Sequence, residues 1–316
     1  MDHRKFKKRV VELVDELTAA QAQKLIEALK ERGGGDEVQK LIEQQFESDV
    51  KCPHCDQRHI HRHGMAHGLG RYKCLDCGRT FNALTGTSLA GLRHRSRWLK
   101  FSEQLNLSHS VRRAAIEIDI DKSTSFRWRH RFLQARKYSK DQSLIGIVEV
   151  DETFILESHK GERRPSHKAR KRGGKAQKRG LSAEQIPVLI ARDRSGDMID
   201  AVLPDRSLKA VSSVLKGALS KKDALLCTDG DPALIAFAQD EGLEYELIIA
   251  SKGEHVHEKV LHIQNVNSYM SGLKKWLVRF NGVATKYLQN YLGWRRMLEK
   301  SGGELTPESC LTAAIR

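Results

Sequence analysis

The sequence predicts a multidomain chain of mixed class, α+β and α/β: a small helical N-terminus, a metal-held hairpin, a pair of short helices, and then a mixed sheet with helices on both faces. Three observations carry this. Two Cys-x-x-Cys pairs stand 18 residues apart. Helical periodicity around residues 95–137 is broken briefly at Asp119-Ile120-Asp121. From Leu144 the apolar period changes to that of strands, three in succession and then alternating with helices. The implied boundaries are 1–49, 50–92, 95–140 and 144–300, the last with an insertion at 160–180, and a C-terminal tail at 301–316.

The 316 residues are enough for several domains and at least one sizeable core. Lys and Arg number 55 against 40 Asp and Glu, a net charge of +15. That excess points to a polyanionic partner. No apolar run reaches membrane-span length, and the basic start of the chain leads into an amphipathic segment rather than an apolar signal core. The six cysteines fall as two tight pairs plus Cys227 and Cys310. This suits metal ligation in a reducing cytoplasm better than a disulfide framework.

In residues 1–48, Phe6, Val10, Leu13, Val14 and Leu17 repeat at helical spacing. Thr18-Ala19-Ala20-Gln21 has the form of a capping box opening a second helix with Leu25, Ile26 and Leu29. Gly33-Gly34-Gly35 is expected to break that helix before a short third stripe of Val38, Leu41, Ile42 and Phe46. Ordinary helical packing accounts for these residues.

Cys52-Pro53-His54-Cys55 and Cys74-Leu75-Asp76-Cys77 each place two thiols across a tight turn. Two such turns complete a tetrahedron for Zn²⁺, the arrangement of a zinc ribbon. Four thiolates leave no open coordination position, so the metal is expected to be structural. His54, His59, His61, His63 and His67 read as surface or phosphate-contacting groups.

Trp98, Leu99, Phe101 and Leu105 form one helical stripe. A short helix at Ser110–Ile118 follows, then a break, then a second helix from Lys122 to about Arg136 with Asp121 as its N-cap. Thr124, Trp128, Phe132 and Ala135 share the inward face. Ser123, Arg127, His130 and Gln134 share the opposite one. This is the helix-turn-helix pattern. An ordinary helical hairpin fits the shape equally well, and the adjoining ribbon and overall charge favour DNA contact through Ser123, Arg127 and His130.

Ile147–Ile155, Ile186–Asp193 and Met198–Leu203 read as three strands. A helix over Ser207–Leu219, a buried strand Ala224–Thr228, a helix Ala233–Gln239 and a strand Glu244–Ala250 follow. Two helices, about Val266–Phe280 and Thr285–Glu299, complete the series. This is the element order of the ribonuclease H-like fold. Lys160–Arg179, between the first two strands, holds ten Lys or Arg and one acid, a charge of +9. It cannot bury a core. Either a solvated loop or a phosphate-gripping arm, through Arg170, Lys171 and Arg172, fits that composition.

Asp151 lies within the first strand and Asp229 at the end of the fourth. In this element order those strands are neighbours, so the two carboxylates can meet. Hard oxygen ligands of this kind suit Mg²⁺ or Mn²⁺, and a pair of such ions can clamp the two oxygens of a phosphodiester exchange. Separately satisfied strand and turn acids are the alternative. In the helix beginning near Val266, Asn267 lies in the first turn and Lys274 two turns later on the same face. The first can add an amide oxygen to a metal site and the second can hold a phosphate.

Taken together, the two Cys pairs, Ser125–His130, Val150-Asp151-Glu152-Thr153, Thr228-Asp229-Gly230, His262–Lys274, Phe280–Leu288 and Asn290–Arg295 give the chain a definite resemblance. It resembles bacterial insertion-sequence transposases that join a zinc ribbon and helix-turn-helix to a DDE-type catalytic domain, in the subgroup where Asn replaces the last acid and Lys follows seven residues later. The resemblance implies that Asp151, Asp229 and Asn267 bind two catalytic Mg²⁺ or Mn²⁺ ions and that Lys274 contacts DNA. It also implies hydrolysis at element ends, strand transfer into target DNA, double-stranded DNA as partner, and a homo-oligomer assembled on it in the bacterial cytoplasm at the nucleoid. A non-catalytic DNA-binding regulator, or a nuclease of the same fold without strand transfer, would carry many of the same residues.

Overall fold

The computed structural model describes residues 3–135, 137, 143–162, 174, 176, 182–249 and 260–315. They form two compact units, residues 1–132 with 306–316 and residues 133–305.

The first unit opens with α1 (His3–Asp15) and α2 (Ala19–Glu47). The capping box forms as the sequence predicts: Gln21 N donates to Thr18 Oγ1 at 3.3 Å and Thr18 N donates to Gln21 Oε1 at 2.9 Å. The expected break at Gly33–Gly35 is not there. α2 runs unbroken through the three glycines. Glycine in a helix costs about 1 kcal/mol each but forbids nothing, and the C-terminal half is anchored by fully buried Val38 and Ile42. Packing therefore overrides propensity. The apolar stripe of α1 and the start of α2 differs from expectation too: Val10, Leu13, Val14, Leu25, Ile26 and Leu29 all remain exposed.

β1 (Ile60–Ala66), β2 (Leu69–Cys74) and β3 (Thr80–Asn82) make an antiparallel sheet in that order. Its small core is Cys52, Cys74 and Phe81, closed by Tyr72, Ile60 and, from the end of α2, Phe46. The Phe46 and Tyr72 rings stand 4.8 Å apart. A ribbon too short to bury its own core thus takes an aromatic side chain from the helix before it.

α3 (Trp98–Asn106), α4 (Val111–Glu117) and α5 (Lys122–Gln134) follow. Trp98, Phe101, Trp128 and Phe132 form an aromatic cluster with centroids 5.0–6.5 Å apart. Residues 301–316, a tail in the sequence, instead carry α10 (Pro307–Ile315), which packs on α3 and α2 and buries Cys310, Leu311 and Ile315. Its alternation of small and branched apolar residues is too short to separate a docked helix from a tail without seeing the surface it meets.

The second unit is a five-stranded sheet in the order β6-β5-β4-β7-β8, formed by β4 (Leu144–Leu156), β5 (Gln185–Asp193), β6 (Met198–Val202), β7 (Leu219–Thr228) and β8 (Glu244–Leu247). β4, β5 and β6 run antiparallel, whereas β7 and β8 are parallel to β4. This is the ribonuclease H-like mixed sheet. One face carries Val148, Val150, Leu189 and Ala191 under α6 (Leu208–Leu215) and α7 (Pro232–Glu241). The other carries Glu149, Asp151 and Cys227 and is covered by α8 (Gln264–Val278), with α9 (Thr285–Lys300) alongside it. The alternation that sends Val148 and Val150 into one core sends Glu149 and Asp151 to the opposite face.

α8 and α9 are locked to that face by a buried polar cluster. Asp200 on β6 accepts from Tyr269 Oη at 3.0 Å and pairs with Arg296. Burial pushes the Asp200 carboxyl up, with Arg296 opposing, and the Tyr269 phenol is raised well above 10.0 by burial and the same carboxylate. Beyond the end of α8, Lys160 Nζ donates to the carbonyls of Asn281 at 3.0 Å and Gly282 at 2.8 Å.

Candidate active site and metal centre

β4 and β7 are joined in parallel register, with Glu149 level with Cys227 as the last paired position. Two residues further along come Asp151, still within β4, and Asp229, just past the end of β7. Asp151 is half-buried, whereas Asp229 stands exposed where β7 gives way to the Gly230 turn. Burial first, and the charge of Asp229 second, push the Asp151 carboxyl up to about 6 from its ordinary 3.8; the backbone N–H of Glu152, donating to Asp151 Oδ1 at 2.6 Å, opposes them. Among the described residues no Lys, Arg or His forms an ion pair with either acid.

The neighbouring acids are handled differently. Arg206 donates to Glu152 Oε2 at 2.7 Å and also pairs with Asp231. It lies over the Phe154 ring at 5.6 Å. One guanidinium thus spans two carboxylates on the reverse side of the strand, as the alternation of adjacent strand residues requires. Asp231 also caps α7, accepting from Ala233 N at 2.9 Å. Two neighbouring carboxylates without an ion-paired cation among the described residues have the donor set of a site for hard divalent ions.

Asn267 lies in the first turn of α8, exposed, and Lys274 lies two turns on along the same exposed stripe. The helix start is bonded to β4 beside the acids: Glu149 accepts from Val266 N at 3.0 Å and from Asn265 Nδ2 at 2.8 Å. Glu149 is 1% exposed and pairs with Arg194 Nη1 at 2.6 Å. Sequence reasoning assigned Glu149 no role. Its signal was a second acid on the Asp151 face of a core strand, with the same desolvation problem.

In the first unit, the sulfurs of Cys52, Cys55, Cys74 and Cys77 all lie within 4.8 Å of one another. Cys52 Sγ is 3.7 Å from Cys77 Sγ, and Cys55 Sγ is 3.6 Å from Cys74 Sγ. Zn–S bonds of about 2.3 Å in a tetrahedron put sulfurs roughly 3.8 Å apart, so the four thiols fit a zinc ion. All five histidines singled out, His54, His59, His61, His63 and His67, are exposed.

In α5, Trp128 and Phe132 are buried, while Ser123 and Arg127 are exposed and His130 is half-buried against Phe126, with ring centroids 4.6 Å apart. Asp121 caps the helix, accepting from Ser123 N at 2.7 Å. Two basic residues of α5 serve the fold instead. Arg129 is buried and donates to the carbonyl of His109 at 2.5 Å, and Arg131 Nη2 donates to that of Ala90 at 2.7 Å. Arg170, Lys171 and Arg172 lie outside the described residues.

No described helix is long and apolar enough to cross a membrane. Among known proteins, the chain is 29% identical over 271 residues, 84% of its length and 91% of the relative's, to an uncharacterized protein in transposable element ISH50 of Halobacterium salinarum. A chain of a pre-cleavage Mos1 transpososome aligns over 69% of this chain and 78% of its own at 13% identity, with a TM-score of 0.19. Residues 143–295, which hold β4 through most of α9 and every residue of the acid site, match the ISXO2-like transposase domain. Residues 143–295 therefore carry the match to the ISXO2-like transposase domain, within a chain that is similar along most of its length to a protein of a transposable element.

Proposed function

We propose that this chain is an insertion-sequence transposase working by DDE-type chemistry, with Asp151, Asp229 and Asn267 holding two Mg²⁺ or Mn²⁺ ions. The observation that carries the reading is the pair Asp151 on β4 and Asp229 just past the end of the neighbouring parallel β7, close enough that the charge of Asp229 raises Asp151, and without an ion-paired cationic side chain among the described residues. Bound there, the ions supply an activated oxygen nucleophile and charge stabilisation for the phosphorus centre. Asp151 and Asp229 contribute the anionic ligands. Asn267, a neutral amide, lowers the total ligand charge and so the affinity. Lys274 holds a DNA phosphate along the α8 stripe. The water oxygen bonds to phosphorus at an element end and the 3′-oxygen departs as a hydroxyl. That hydroxyl then attacks a target phosphodiester, forming one P–O bond as another breaks.

The ribbon, held by structural zinc on its four thiolates, joins Ser123, Arg127 and His130 of α5 and Arg170, Lys171 and Arg172 of the arm in gripping double-stranded DNA. Two ends must be paired, so the active form is a homo-oligomer on DNA, in the bacterial cytoplasm at the nucleoid. The test is plasmid excision and strand transfer with Asp151→Asn and Asp229→Asn. Both variants should bind end DNA and neither should release 3′-hydroxyl ends. Unchanged excision would overturn the assignment, and cleaved ends without joined products would move it to a nuclease.

A further inference from the structure

We infer that Glu149 is a positioning residue for the proposed metal site: it sets where Asn267 stands relative to Asp151. This rests on the reading of Asp151, Asp229 and Asn267 as the ligand set.

The argument begins at the N-terminus of α8. Its N-cap, Ile263, has no side chain able to accept from the first-turn amides. A helix start without a cap leaves N–H groups unsatisfied, an expensive state once buried. Here His262 Nδ1 accepts from Gln264 N at 3.2 Å, and the acceptor for Val266 N comes from the sheet. The Glu149 carboxylate takes the N–H of Val266, the third helical residue and the usual target of an N-cap side chain, at 3.0 Å. It also takes the side-chain amide of Asn265 at 2.8 Å. A carboxylate is favoured at this end of the helix dipole. Its burial is made tolerable by Arg194, 2.6 Å away, whose Nη2 donates onward to the carbonyl of Val260 at 2.9 Å.

The clamp has a fixed relation to the site on both sides. Along β4, Glu149 is two residues from Asp151 on the same face, about 6.6 Å of strand. Along α8, the clamped Val266 directly precedes Asn267, whose own N–H is held by the Ile263 carbonyl at 3.1 Å. Two rigid elements are therefore bonded to each other one residue away from one ligand and two residues away from the other. Other contacts of α8, at Tyr269 with Asp200, lie farther along the helix and fix its middle rather than its first turn. A site whose third ligand is an uncharged amide depends on its placement more than one built from carboxylates alone.

The experiment is Mn²⁺ binding to the full-length chain, by calorimetry or electron paramagnetic resonance, for wild type, D151N, N267A, E149A, E149Q and the double variant E149A/N267A. Loss of a partner that orients a ligand lowers metal affinity by about 10–100-fold, and that range is expected for E149A. E149Q keeps an acceptor oxygen and most of the shape, so it guards against a failure to fold; it should lose less affinity than E149A. The deciding comparison is the double variant. If Glu149 acts through Asn267, E149A causes no further loss once Asn267 is gone. A purely structural Glu149 would lower the unfolding midpoint and leave Mn²⁺ affinity of the folded protein unchanged, and that result overturns the inference, as does the same fold-loss with and without Asn267. Mn²⁺ affinity insensitive to D151N would instead overturn the underlying site.

Discussion

Glu149 and Asp151 project from the same face of β4, two residues apart, and meet opposite surroundings. Glu149 is saturated by a guanidinium, an amide side chain and a helix N–H. Asp151 receives one backbone N–H and faces another carboxylate. One strand thus carries an acid that serves the fold and an acid held at a cost in stability, the usual mark of a site reserved for chemistry.

That cost is measurable. Asp151 titrates near 6 in the folded chain, above its ordinary 3.8. Between about pH 4 and 6 the folded state keeps a proton that the unfolded state has lost, so stability falls as pH rises through this window and is level above it. Urea unfolding without Mg²⁺ or Mn²⁺ should show the fall in wild type relative to D151N, and millimolar Mn²⁺ should remove it. Parallel pH profiles for the two proteins would contradict the buried, repelled carboxylate.

The Asp200–Arg296 pair predicts a larger effect at neutral pH, where Asp200 would be left as an uncompensated buried charge. Arg296→Met leaves Asp200 buried beside Tyr269 without its cation and should destabilise the second unit by about 3–5 kcal/mol. Replacing both partners by apolar residues should recover much of that. The midpoint of urea denaturation reports both.

Zinc is expected at one ion per chain by elemental analysis, lost in Cys77→Ser. With its metal removed, the ribbon should become sensitive to trypsin at Arg62, Arg71 and Lys73, because Cys52, Cys74 and Phe81 are too small a core to hold three strands. An unaltered digestion pattern in the stripped protein would show the ribbon standing on Phe46 and its neighbours alone.

On DNA, basic residues should separate into two kinds. Alanine at Arg170, Lys171 and Arg172 together should flatten the salt dependence of binding by nearly three in slope, about 0.9 per phosphate contact, with little change in sequence preference. Arg127→Ala should cost about 1–3 kcal/mol on the preferred site and little elsewhere. Arg129→Ala should lower thermal stability instead, because its guanidinium is spent on the His109 carbonyl. Titrations at several salt concentrations with matched and scrambled DNA distinguish the three.

The sequence by itself determined the local elements and the chemistry they can carry. Periods of 2 and 3.6 located every strand of the large sheet and its helices, because alternation reflects which face is wet, although β7 begins at Leu219, where the expected helix still runs. Cys spacing announced a four-thiol site, because two thiols across one turn have few other uses. What only the tertiary structure decided were matters of contact between distant residues. α2 runs through three glycines because Val38 and Ile42 anchor its far half. Residues 307–315 form a helix because α3 and α2 offer it a surface. Above all, nothing in Ile147–Ile155 distinguishes Glu149 from Asp151. The distinction arises because Arg194, Asn265 and Val266 reach one carboxylate from 45 to 117 residues away, while among the described residues no cationic side chain reaches the other.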